Sequence, residues 1–175
     1  MKLKFKDKAT IKGKLRFTTY KAENWFGRLL VWLKLKERKM LRQTGWMKNL
    51  VVLNSTGNGH GMNLLVKRLI NNTTNDLIIT QAKIGDDDTA PVNGDTDLGN
   101  PLVSGIVVAT ATETAVNIAT FEFFISDAEL PEDDYKEFGI FCGNQLFARS
   151  IISPTYTKSI GEDSKIEYKI TVNNT

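Results

Sequence analysis

The sequence is poor in the residues on which small reactive or cross-linked proteins depend: it has one cysteine, one histidine and four prolines in 175 residues. The single cysteine, Cys142, excludes an internal disulfide framework and a cysteine-rich zinc site. The single histidine, His60, excludes the paired histidines of an HExxH metal site and leaves one candidate for histidine-based catalysis. Because 41% of the residues are apolar and 25% are charged, the chain has the composition and length of one folded domain with a sizeable core.

Long apolar runs are also lacking. The first ten residues, MKLKFKDKAT, alternate lysine with other residues and lack the apolar stretch of a signal peptide. The most apolar window that follows, residues 25–33, contains Arg28 and is too short to span a bilayer. We therefore expect a protein that is made in the cytoplasm, is not exported by its own sequence and has no membrane partner.

The charge is unevenly distributed. Residues 1–48 hold 15 Lys or Arg and three acids, whereas residues 49–175 hold 8 Lys or Arg and 17 acids. A basic segment joined to an acidic body is typical of contact with nucleic acid, with an anionic membrane or with an acidic protein surface. It also fits head-to-tail contact between copies of the chain, or simply strands whose lysines face solvent.

Hydrophobic patterning indicates mostly strands. Apolar residues alternate with polar ones, or form short runs bounded by turn residues, over residues 2–8, 10–20, 46–53, 77–84, 106–112, 116–126, 135–142, 145–152 and 165–172. The dipeptide Gly143-Asn144 is typical of a tight hairpin turn. Helical spacing is clear only at residues 62–70, and residues 29–41 combine strand alternation with helix-favouring residues.

These elements predict a mainly β protein, an antiparallel β-sandwich of jelly-roll-like type with one short helix and a basic N-terminal arm. We expect residues 1–43 to form the basic arm, or strands joining the body, and residues 44–175 to form the sandwich domain.

The residues with chemical potential do not assemble into a recognisable site. The acids between Asp86 and Asp97 offer oxygen ligands for Ca²⁺, but their spacing does not fit an EF-hand loop. The Asn58-Gly59-His60-Gly61 stretch matches no phosphate-binding motif, and His60 has no sequence neighbour that marks a triad. We therefore predict no catalytic, cofactor-binding or metal site.

Three stretches occur in an order typical of a known family. The first is residues 44–51 (TGWMKNLV), the second is residues 82–91 (AKIGDDDTAP) with 95–100 (DTDLGN), and the third is residues 123–129 (FFISDAE) with 136–141 (KEFGIF) and 145–150 (QLFARS). Together they resemble a family of tailed-bacteriophage virion proteins, described as tail, collar or fibre-associated structural proteins. The likeness covers about residues 44–172. It departs from the family at Gly85-Asp86-Asp87, where Gly-x-Gly is usual, and at Asn100, where an acid is usual.

The resemblance implies a non-enzymatic building block of a bacteriophage particle, located in the virion, that acts by self-assembly and by docking to other virion proteins. It carries no catalytic residue to this chain. The alternatives are a capsid decoration or head-fibre protein, or a β-sandwich module that binds glycans or nucleic acid, with nucleic acid the less favoured partner.

The basic segment supplies the candidate interaction residues, since Trp and Arg are frequent at interface hot spots. They are Lys12, Lys14, Arg16, Trp25, Phe26 and Arg28.

Overall fold

The structure, a computed structural model, describes residues 9–33, 37–51, 60–72 and 76–174. The strand expected over residues 2–8 lies outside these ranges, as do residues 54–59 of the loop expected before the predicted helix.

Within the described ranges the chain forms nine strands and two helices. In chain order they are β1 (Ala9–Lys21), α1 (Trp25–Trp32), β2 (Met40–Gln43), β3 (Met47–Val51), α2 (Met62–Leu69), β4 (Gln81–Gly85), β5 (Pro101–Ala115), β6 (Ile118–Ile125), β7 (Asp134–Cys142), β8 (Gln145–Thr157) and β9 (Glu162–Asn174). Neither helix is long and apolar enough to cross a bilayer, within the part of the chain described.

Eight strands form one curled antiparallel sheet in which the two ends meet. The strand order is β1-β3-β8-β7-β4-β5-β6-β9, and β9 pairs again with β1. The β1–β9 ladder is continuous from Ala9, opposite Asn174, to Lys21, opposite Glu162. The short strand β2 pairs with the end of β1, beside β3.

Strand β5 turns the corner of the sheet. Its residues 101–107 pair with β4, and its residues 108–115 pair with β6, with register shifts in both ladders. Such shifts are β-bulges or irregularities, which bend and twist a strand. One long strand thereby belongs to two regions of the sheet.

The core fills the inside of the curl, where the inward positions of alternating strands meet. Phe17 of β1 stacks on Tyr156 of β8 with ring centroids 4.6 Å apart. Phe138 of β7 meets the edges of Phe17 and Phe123, at centroid distances of 6.1 and 5.6 Å. The core therefore draws on both the N-terminal segment and the rest of the chain.

The mainly β, antiparallel prediction is confirmed, as are the helix near Met62 and the Gly143-Asn144 turn, which joins β7 to β8. The pairings establish a curled sheet, without assigning its strands to two stacked layers. The predicted strand at residues 77–84 begins only at Gln81.

The expectation of one helix is wrong, because α1 is a second one. The side chain of Asn24 accepts a hydrogen bond from the backbone N–H of Gly27 (2.8 Å). This is the arrangement of an N-cap, and a following run of apolar residues then continues the helix.

Candidate functional site

A buried ion-pair network lies where β7 and β8 meet the loop between β4 and β5. Arg149 of β8 is 3% exposed and Glu137 of β7 is fully buried. The guanidinium of Arg149 donates from Nε to Oε2 of Glu137 (2.8 Å), from Nη1 to Asp95 (3.0 Å) and from Nη2 to Asp87 (3.0 Å). One arginine thus forms ion pairs with three carboxylates.

Glu137 also holds the end of the loop. Its two carboxylate oxygens accept the backbone N–H groups of Gly99 (3.0 Å) and Asn100 (2.8 Å). At Gly85 a Cβ atom would overlap the carbonyl of Asn100, so the loop closes directly onto the strand. The second and third stretches of the resemblance therefore meet at Glu137.

Four of the loop acids that suggested Ca²⁺ binding, Asp86, Asp87, Asp95 and Asp97, are engaged by the protein itself. Lys83 Nζ lies 2.6 Å from Asp97 Oδ2, and Asn100 Nδ2 donates to Asp86 (2.7 Å). Hydrogen bonds from Thr89, and then the Arg149 side chain, lower the pKa of Asp87. Within the described ranges, no three His, Cys, Asp or Glu side chains are arranged so that they could hold a metal ion.

The carboxylates keep Arg149 charged. Burial acts to lower the pKa of Arg149, but hydrogen bonds and charge from Asp95 and Glu137 outweigh it and raise that pKa. An arginine held charged by three carboxylates neither supplies nor takes up protons near neutral pH. The arrangement fixes the loop.

His60 and Cys142 have local structural contacts. Nδ1 of His60 accepts a hydrogen bond from the backbone N–H of Leu146 (3.1 Å), and burial lowers the pKa of the imidazole. Burial raises the pKa of the Cys142 thiol to about 12, so the reactive thiolate is scarce at neutral pH. The imidazole of His60 thus packs as a neutral group that accepts a hydrogen bond from the backbone.

A lysine face, formed by Lys12, Lys14, Lys48 and Lys169, covers part of the outer surface of the sheet. Lys14 of β1 lies directly opposite Lys48 of β3 on one side and Lys169 of β9 on the other. Lys12 lies two residues before Lys14 on β1, so it points to the same side of the sheet. Their inward neighbours Gly13 and Leu15 are buried.

Trp46 lies at the edge of the lysine face and contacts two cations. The Arg16 guanidinium carbon is 4.4 Å from the centroid of the indole ring, and Lys169 Nζ is 4.7 Å from it. Arg16 is also paired with Glu167 of β9, at 2.6 Å between Nη2 and Oε2. Of the predicted interaction residues, the structure brings Lys12, Lys14 and Arg16 together here.

The other three predicted interaction residues lie on α1. Arg28 is exposed, and its Nε donates to the backbone carbonyl of Glu23 (3.0 Å). Trp25 and Phe26 begin the same helix, and their side chains lie outside the described part of the structure.

Sequence reasoning missed Lys48, Lys169 and Trp46. Lys169 is 121 positions after Lys48 in the chain, and only the strand pairing brings both beside Lys14. The available signal was their position in or beside predicted strands, because alternation along a strand shows which residues face outward. Which strands become neighbours does not follow from alternation.

An apolar cavity of about 440 Å³ lies at another place in the fold, between the sheet and the segment after α2. Every described residue that lines it is apolar, including Ile11, Phe121, Phe147 and Ile170. Without a polar group to orient a substrate, this lining offers burial alone.

Comparison of the chain with models of known protein families, with curated proteins and with solved structures found no match.

Proposed function

We propose that this chain is a non-enzymatic structural protein of a tailed-bacteriophage particle, a tail, collar or fibre-attachment component that assembles with itself and docks other virion proteins. The observation that carries the proposal is the family resemblance of three stretches in one order. Support comes from their arrangement in space, because the second and third stretches meet at Glu137.

The character of that meeting point fits a building block. Glu137, Arg149 and the loop acids bind one another and the backbone, so they hold a long loop in one conformation. A fixed loop is suited to permanent contact with a neighbouring subunit, since little ordering entropy remains to be lost on binding. The jelly-roll-like sandwich belongs to the same proposal, with β3 and β5 as the strands that pass between its two layers.

The proposed contacts include the basic N-terminal segment. Residues 9–21 pair with β9 along their whole length, so deletion of the segment would also remove a strand of the sheet. Substitution of outward-facing residues, such as Lys12 and Lys14, tests docking without this loss.

Sedimentation velocity over a range of concentrations tests the self-assembly part of the proposal. We expect a closed oligomer that sediments with a single coefficient. The oligomer should dissociate on dilution or at high salt. A monomer at every concentration and ionic strength would contradict self-assembly by this chain alone.

A capsid decoration or head-fibre protein is the alternative within the same class, and it differs in copy number rather than in chemistry. A glycan-binding module would use an exposed aromatic ring as a platform. Arg16 and Lys169 already lie against the ring of Trp46, which does not favour that alternative.

A further inference from the structure

We propose that the lysine face binds the phosphate backbone of nucleic acid, without reading its sequence. This inference does not depend on the virion proposal, since it rests on the surface of the folded chain alone. It commits to a polyanion because the face presents one sign of charge over adjacent strands.

The register of the sheet creates this concentration of charge. Lys48, Lys14 and Lys169 occupy directly opposed positions on three neighbouring strands, which places their Cα atoms within about 10 Å along the row. Like charges directly opposite each other destabilise a sheet. The repulsion between these lysines destabilises the free protein. Phosphates that lie between the ammonium groups would relieve this repulsion.

The protein does not neutralise these lysines. Within the described ranges no ion pair joins Lys12, Lys14, Lys48 or Lys169 to a carboxylate. In contrast, eight other cations have carboxylate partners: Arg16, Arg38, Arg42, Arg68, Lys83, Arg149, Lys158 and Lys165. The charge of the face is therefore available to an external anion.

The same ion pairs occupy many of the acids that a second copy of the chain could offer to the lysine face. They use carboxylates that lie far apart in the sequence, including Asp97, Glu122, Asp127 and Glu162. Ten of the 17 acids of residues 49–175 are held in such ion pairs. Nucleic acid, in contrast, offers closely spaced charges along its whole length.

Trp46 indicates how the contact is made. Arg16 and Lys169 lie against its ring, so the indole holds cations instead of presenting a free surface to a base. Binding through phosphates alone is insensitive to sequence and falls steeply with salt.

The test is fluorescence anisotropy with a short labelled oligothymidylate and with a duplex of mixed sequence. The face variant carries Lys12→Gln, Lys14→Gln and Lys48→Gln. A matched control carries Lys21→Gln, Lys67→Gln and Lys136→Gln, which remove the same net charge from the end of β1, from α2 and from β7. Thermal unfolding checks that both variants fold, and we expect the face variant to unfold no earlier than the parent.

We expect the parent to bind both probes, and the face variant to bind about tenfold or more weakly at about 50 mM salt. Each phosphate contact with a single strand contributes about 0.7 to the steepness of the plot of log affinity against log salt. Loss of three lysines should therefore make this slope shallower by about 2 between about 50 and 200 mM salt. The control variant should keep most of the parent's slope.

Absence of binding by the parent at low salt would overturn the inference, as would equal losses in the face and control variants. Self-association that the face variant abolishes, without nucleic-acid binding by the parent, would assign the face to a second copy and would also overturn it.

Discussion

At the scale of single residues, Glu137 links three parts of the chain through one buried carboxylate. It joins β7 to Arg149 of β8 and to the backbone of Gly99 and Asn100. The amino acids at these positions are visible in the sequence, but which acid pairs with Arg149 depends on strand pairing and on the path of the loop. The network was therefore beyond prediction.

Replacement of Glu137 by Gln should destabilise the fold by about 3–5 kcal/mol, the usual cost of removing one partner of a buried ion pair. The amide NH₂ group of the glutamine would also face a backbone N–H group, of Gly99 or Asn100, that now donates a hydrogen bond to the carboxylate. Urea unfolding followed by circular dichroism measures the loss. Glu132→Gln, at an exposed loop acid, is the control and should change stability by about 0.5 kcal/mol or less. Equal losses in the two variants would contradict the role of Glu137.

Asp127 makes the stability of the fold depend on pH. Its Oδ1 lies 2.5 Å from Lys158 Nζ and accepts the backbone N–H groups of Gly161 (2.9 Å) and Glu162 (3.1 Å). The hydrogen bond from Lys158 is the main cause that lowers the pKa of Asp127 below its ordinary 3.8. A carboxylate with a lowered pKa stabilises the fold at neutral pH, and this contribution is lost as the pH falls through the folded-state pKa.

We therefore expect Asp127→Asn to be less stable than the parent at about pH 6, with a difference that shrinks towards about pH 2. Urea unfolding across this pH range measures the two free energies. Asp88→Asn, at an exposed loop acid, provides the comparison. A difference between Asp127→Asn and the parent that stays constant with pH would show that the carboxylate charge is not the cause.

At the scale of elements, alternation and turn residues were sufficient to locate most strands, because outward and inward positions differ in polarity along a strand. Strand β2 and helix α1 were not predicted. Residues 29–41 mix strand alternation with helix-favouring residues, so their pattern did not predict one structure. The capping hydrogen bond of Asn24 favours a helix that begins before this stretch, at Trp25. The apolar residues 77–79 line the cavity and do not extend β4, which begins at Gln81.

The β7–β8 turn gives a direct test of local backbone requirements. Gly143 has a positive φ of 57°, which side chains disfavour. Gly94 has no positive φ, and a Cβ atom at either glycine would meet no atom within 4 Å. Gly143→Ala should therefore cost about 1–2 kcal/mol, whereas Gly94→Ala should be neutral or slightly stabilising. Thermal unfolding of both variants measures the difference, and equal melting temperatures would contradict the account of the turn.

At the scale of the whole molecule, the closure of the sheet by β1 and β9 is the feature that patterning could not predict. The two strands lie at opposite ends of the chain, yet they pair without interruption from Ala9 to Lys21. The basic charge of the first 48 residues suggested an arm. The inward residues of β1 are nevertheless part of the core, and only its outward residues form part of the lysine face.

Phe17→Ala tests whether the N-terminal segment belongs to the folded body. Phe17 is 1% exposed and contacts Tyr156 and Phe138, so its truncation should cost about 3–5 kcal/mol. Lys12→Ala, at an exposed position on the same strand, should have little effect. Equal stabilities of the parent and Phe17→Ala in urea unfolding would show that β1 is only appended to the body.

Quantitative peptide mass spectrometry of purified phage particles from the source of this sequence tests the proposed function most directly. We predict that the chain is present in a few copies per particle, set by the symmetry of a tail, collar or fibre attachment. Copy numbers on the scale of the capsid lattice would instead support the decoration alternative. Absence of the chain from the particles would contradict the virion proposal.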